Sequence, residues 1–112
     1  MKYDVIIVGA GASGMMAAIT AASHHKKVLF LERMDKLGKK ILATGNGRCN
    51  LSNAYMDENC YRGQRPSFAY PMIEEFGLED LIQFFESLGM LVTEQNGYYY
   101  PASLQAATVV DT

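Results

Sequence analysis

Residues 9–14 read Gly-Ala-Gly-Ala-Ser-Gly, and three glycines at this spacing make a stretch of main chain that can cradle a phosphate. Gly9 would permit a tight turn, and Gly11 would let a pyrophosphate approach where a Cβ would block it. Gly14 would let a helix pack close against the preceding strand. A helix opening at this point aims unpaired N–H groups and a partial positive charge at the phosphates. Eighteen residues after Gly14 stands Glu32, where a carboxylate accepts hydrogen bonds from ribose hydroxyls and repels a 2′-phosphate. The candidate dinucleotide-binding residues are therefore Gly9, Ala10, Gly11, Ala12, Ser13, Gly14 and Glu32. NAD and FAD share such a half-site, so the motif alone leaves the choice between them open.

These residues need particular elements around them, and the flanking sequence supplies them. YDVIIV at 3–8 is a short β-branched apolar run, as expected of a central parallel strand covered on both faces. Residues 12–24 are rich in helix formers with small residues at helical spacing, and HHKK gives a polar, partly cationic last turn. VLFLER at 28–33 is a second apolar run ending on a charged pair, so residues 3–33 form one βαβ unit with a right-handed crossover. Further on, YRGQRPSFAYP at 61–71 reads as a connector or short irregular helix. LEDLIQFFESL at 78–88 places Leu78, Leu81, Ile82, Phe85 and Leu88 on one face of an amphipathic helix, capped by Gly89. MLVTE and YYYP flank Gln95-Asn96-Gly97, a strong hairpin signal, and SLQAATVVDT opens another helix.

Composition excludes several classes. With 49% apolar and 20% charged residues in 112, the chain is of ordinary globular make-up. A net charge of −2 gives no basic surface, which argues against nucleic acid as a partner. Residues 5–22 carry no charge, but three glycines, a serine and a threonine lower their apolarity and Asp4 precedes them. A buried strand and helix are expected there rather than a membrane span or signal. Cys49 and Cys60 lack metal-site spacing and read as reduced thiols of a cytoplasmic protein, with no metal site. His24 and His25 belong to a solvated helix end.

GKKILATGNGRCNLSN at 38–53 is a different kind of segment, with three glycines, three asparagines, three basic residues and a cysteine in sixteen positions. A loop of that length between apolar elements is usually functional. Here the sequence resembles a known family, the bacterial NAD(P)/FAD-dependent flavoproteins that include aminoacetone oxidase-like and 3-dehydro-bile acid reductase-like members. The residues that carry the resemblance are VGAGASGMMAA at 8–18, VLFLERMDKLGKKILATGNGRCNLSN at 28–53 and YYYPASLQAATVVD at 98–111.

The resemblance implies an α/β fold: a Rossmann-like FAD-binding βαβ unit of a two-dinucleotide-type flavoprotein, followed by the glycine-rich loop, an amphipathic helix and a β-hairpin. It divides residues 1–112 into the βαβ unit 3–33, a flavin loop 38–53, and a helix and hairpin within 72–101. Gly9 to Gly14 would then bind the FAD pyrophosphate, Glu32 the ribose, and Arg33 would lie near the adenine. Lys39, Lys40 and the run Thr44, Gly45, Asn46, Gly47, Arg48, Cys49 and Asn50 would border the pyrophosphate and the flavin ring. Arg48 stands between contacting the flavin and holding its own loop, and Cys49 reads as packing rather than redox-active. The implied activity is that of an FAD-dependent oxidoreductase with NAD(P)H as electron donor and a small-molecule substrate or oxygen as acceptor. Catalytic residues are not identifiable among these 112. A non-catalytic nucleotide-binding module with an NAD-type half-site is the alternative. Family members are longer, so an incomplete sheet with an unpaired apolar edge is expected, and with it self-association and weak FAD binding by the isolated chain.

Overall fold

The computed structural model describes residues Met1 to Thr112. Strand β1 (Val5–Val8), helix α1 (Ala12–Ser23) and strand β2 (Val28–Leu31) form the expected βαβ unit. β1 and β2 pair in parallel with Val5 opposite Val28 and Val8 opposite Leu31. Two 3₁₀ turns follow over Lys39–Gly47, broken at Thr44 to Asn46, then the short strand β3 (Ser52–Asn53). After two further 3₁₀ turns come α2 (Tyr70–Glu75), α3 (Leu78–Ser87), β4 (Val92–Gln95), β5 (Tyr98–Pro101) and α4 (Ala106–Asp111).

Local chemistry accounts for most of these boundaries. Asn96 and Gly97 both have positive φ, 53° and 85°, which a two-residue type I′ hairpin turn requires. Gln95, expected in the turn, pairs instead with Tyr98. At the end of α3 the Gly89 N–H donates to Glu86 and the Met90 N–H to Phe85, the paired bonds of a Schellman motif. Asp80 closes the other end by accepting the Gly77 N–H at 3.0 Å. The 38–53 segment is less of a loop than the sequence implied, because β3 joins the hairpin to make a three-stranded antiparallel sheet ordered β3-β5-β4.

The core is thin. Ten of the 112 residues are buried, and the radius of gyration of 15.1 Å exceeds the roughly 13 Å of a compact domain this long. One cluster joins three segments: Ile41 and Cys49 of the glycine-rich segment pack on Ala106 of α4, flanked by Met15 of α1 and Val109 and Val110.

β1, expected to be covered on both faces, is covered on one. Ile7 lies against α1, within 3.3 Å of where a Gly14 Cβ would stand. The opposite face is bare, with Ile6 58%, Val8 82% and Leu31 51% exposed. β2 is the partner of β1 in a two-stranded sheet, and the other edge of β1 is unpaired. An apolar strand with an open edge invites association. In isolation these 112 residues should therefore self-associate, and Val8→Glu should shift light scattering toward the monomer. Equal scattering from the two proteins would remove this face from the account.

Candidate functional site

The turn between β1 and α1 puts the three glycines in three distinct environments. Gly9 bends the chain at φ +93° and donates its N–H to the Leu31 carbonyl of β2 at 2.8 Å. A Cβ at Gly14 would overlap the Gly9 carbonyl oxygen, whereas a Cβ at Gly11 would meet nothing within 4 Å. Gly14 is thus required by the fold and Gly11 is not. Gly11 caps α1 in extended backbone without a side-chain hydrogen bond. The N–H groups of Gly11, Ala12, Ser13 and Gly14 donate to no main-chain acceptor; the first internal bond of α1 runs from the Met15 N–H to the Gly11 carbonyl. Such free donors at a helix start favour a phosphate.

Glu32 is already engaged. One carboxylate oxygen accepts the Ala10 N–H at 2.6 Å and the other the Met34 N–H at 2.9 Å. These bonds, Met34 first and Ala10 second, hold its carboxyl below the usual glutamate pKa. A carboxylate has about four lone-pair sites, so each oxygen can accept one further hydrogen bond. Arg33 beside it is exposed.

The glycine-rich segment is fastened to the same turn. The Gly38 N–H donates to the Ala10 carbonyl at 2.7 Å, after which Gly45, Asn46, Gly47 and Cys49 all take positive φ. Gly45 has no alternative, because a Cβ there would overlap the Asn50 main-chain nitrogen. Thr44 bonds back on its own turn, its hydroxyl donating to the Ile41 carbonyl at 2.6 Å and its carbonyl accepting from Cys49 at 3.0 Å. The Asn50 N–H has no main-chain acceptor. Thr44, Cys49 and Asn50 line an apolar cavity of about 280 Å³ together with Ala12 and Met15 of α1 and Phe84 and Phe85 of α3. The loop therefore borders the first turn of α1.

The basic residues separate. Lys39 is tied to Asp35 in an exposed ion pair at 2.8 Å, and Lys40 is exposed without such a partner. Arg48 is half-buried with its guanidinium carbon 4.8 Å from the centre of the Tyr100 ring. Tyr100 is buried to 8% exposure; the Leu51 N–H bonds the neighbouring Tyr99 carbonyl at 2.7 Å. The hairpin thus holds the C-terminal half of the loop. Sequence reasoning missed this role, β3 and the Ala10 to Glu32 bond; the alternation of the three tyrosines was the one available signal for the first. Cys49 and Cys60 are free thiols, one buried and one exposed, and no three His, Cys, Asp or Glu side chains gather as metal ligands. Tyr55 donates to Asp57 at 2.7 Å, which lowers the Asp57 pKa and raises that of Tyr55, but Asp57 is occupied capping the Glu58–Cys60 turn.

The family model described as the HI0933-like protein Rossmann domain matches residues 3–112. The chain belongs to the HI0933-like Rossmann family. It is 50% identical over 107 residues to the 3-dehydro-bile acid delta(4,6)-reductase of Clostridium scindens, covering 94% of this chain and 26% of that protein. The ribosomal RNA dihydrouridine synthase of Escherichia coli is 36% identical over 89 residues, 80% of this chain and 22% of its own length. The flavin-containing amine oxidase A of Equus caballus is 33% identical over 78 residues, 69% of this chain and 14% of its own. The chain spans about a quarter of the length of the first two. Its domain is that of a flavin-dependent oxidoreductase family, and no helix is long and apolar enough to cross a membrane.

Two outcomes follow from the turn. Gly14→Val should destabilise the apo-protein by about 3 kcal/mol or more through overpacking, and Gly11→Val by less than about 1 kcal/mol, read from urea midpoints. The reverse order would exchange the two roles. Glu32 titrates below its ordinary value when folded, so its contribution to stability is whole above the glutamate range and is lost as pH falls through the lowered value. The stability gap between wild type and Glu32→Gln should be open at about pH 7 and should narrow as pH falls below the ordinary glutamate value. A gap that persists in acid would show that the carboxylate does not hold the turn.

Proposed function

We propose that these residues form the FAD half-site of a flavin-dependent oxidoreductase that moves hydride from NAD(P)H through the flavin to a small organic acceptor or oxygen. The observation that carries this reading is the turn at 9–14. The N–H groups of Gly11 to Gly14 lack main-chain acceptors, the central glycine faces open space, and a second glycine-rich segment is hydrogen-bonded to the turn. These features fit a pyrophosphate with a flat ring beyond it.

FAD, when bound, supplies the two-electron chemistry that no side chain here possesses. The protein's own part is placement. The N–H groups of Gly11 to Gly14 bind the pyrophosphate, and Glu32 accepts the ribose hydroxyls while keeping the turn closed through Ala10. Arg33, exposed beside Glu32, would face the adenine. Lys40 would add positive charge near the pyrophosphate, and Lys39 would do so less because Asp35 pairs with it. The run from Thr44 to Asn50 borders the ring and offers the Asn50 N–H.

The named activities of the two relatives of similar coverage differ in substrate, one a bile acid and the other ribosomal RNA. A net charge of −2 favours a small molecule over a polyanion.

Protein expressed from the full reading frame should purify yellow and release flavin on denaturation, while the 112 residues alone should bind FAD weakly. Glu32→Ala should weaken FAD uptake by the full protein. Colourless protein that binds adenine nucleotides would instead make this a non-catalytic nucleotide-binding module.

A further inference from the structure

Arg48 is held in an unusual way. It makes no ion pair and no side-chain hydrogen bond within the chain, the single ion pair being that of Lys39 with Asp35. Its guanidinium carbon lies over the face of Tyr100, 4.8 Å from the ring centre. Tyr100 cannot easily move. It is buried, it pairs with Thr93 across the hairpin, and its neighbour Tyr99 pairs with both Glu94 and Ser52.

A carboxylate partner would neutralise the guanidinium and occupy its planar N–H fork. An aromatic face attracts the cation while leaving all five N–H donors unspent. The side chain is thereby pre-organised to meet a planar acceptor edge, which a flexible lysine could not match. Arg48 also sits between Gly47 and Cys49, and Cys49 and Asn50 after it line the cavity beside Ala12 of α1.

We propose that Tyr100 is a positioning residue that presents Arg48 to the pyrimidine edge of the flavin ring, so that the site favours the reduced, more electron-rich ring over the oxidised one. This rests on the FAD reading above and assigns the potential of the bound flavin to a pair joined across the loop and the hairpin. A cation near that edge stabilises negative charge gained on reduction. Tyr100 touches no reacting atom and acts through Arg48.

The test is the midpoint potential of the flavin in loaded protein expressed from its full reading frame, titrated against a dye. Arg48→Met and Tyr100→Leu should each lower the preference for reduced over oxidised FAD about tenfold, which is about 30 mV for two electrons. Tyr100→Phe, which keeps the aromatic face, should leave the potential unshifted. The double variant Tyr100→Leu with Arg48→Met should shift no further than Arg48→Met alone. Should Tyr100→Leu fail to fold, Tyr100→Met, which fills the site without an aromatic face, takes its place with the same expected shift. Unshifted potentials in Arg48→Met, a Phe variant that behaves like Leu, or additive shifts in the double variant would each overturn the positioning role. Equal weakening of ADP and FAD binding by Arg48→Met with no change in potential would overturn it in favour of a phosphate contact. A wild-type protein that takes up no flavin would overturn the FAD reading and this inference with it, whereas flavin-loaded protein with unshifted potentials would overturn this inference alone.

Discussion

The peptide groups on either side of Ala10 hold the site together. Ala10 is fully buried, so both of its main-chain groups need partners. Its N–H goes to Glu32 at the end of β2 and its carbonyl accepts the Gly38 N–H at the start of the glycine-rich segment. One residue thereby links three stretches of chain far apart in sequence. The turn closes because β2 delivers a carboxylate to it, and the second loop lies beside the turn because Gly38 is bonded there. The overlap a Gly14 side chain would make with the Gly9 carbonyl adds a steric requirement to the same place.

How much of this could be read beforehand depends on how local each feature is. The βαβ unit, α3 and the hairpin were legible because each is specified by periodicity or turn chemistry within its own few residues. Leu81 and Phe85 recur at helical spacing, and Asn96-Gly97 accepts the left-handed backbone that a type I′ turn needs. β3 was not legible, since two residues, Ser52 and Asn53, carry no alternation and become a strand only because Tyr98 and Tyr99 lie alongside. The same holds for the site. The glycines announced themselves by spacing, but that Glu32 bonds Ala10, or that Arg48 rests on Tyr100, depends on long-range placement.

The two faces of β1 show how a local pattern can mislead about its surroundings. VIIV has the composition of a strand covered on both sides, yet α1 covers only the face that carries Ile7. The sequence pattern records what a strand is suited to, and a helix or further strand must exist before that suitability is used.

The positive-φ backbone at Gly45, Asn46, Gly47 and Cys49 has a consequence for the order of events during folding. Left-handed conformations at Asn46 and Cys49 cost on the order of 1–2 kcal/mol each in a free chain, so this segment does not adopt its shape unaided. Compensation comes from Ile41 and Cys49 packing on Ala106, and from Leu51 bonding to Tyr99. Those partners lie about fifty to sixty-five residues downstream. On a ribosome the βαβ unit can therefore form early from neighbouring residues, whereas the loop must wait for the hairpin and α4 to emerge. The half-site is begun at its N-terminal turn and finished from its C-terminal helix.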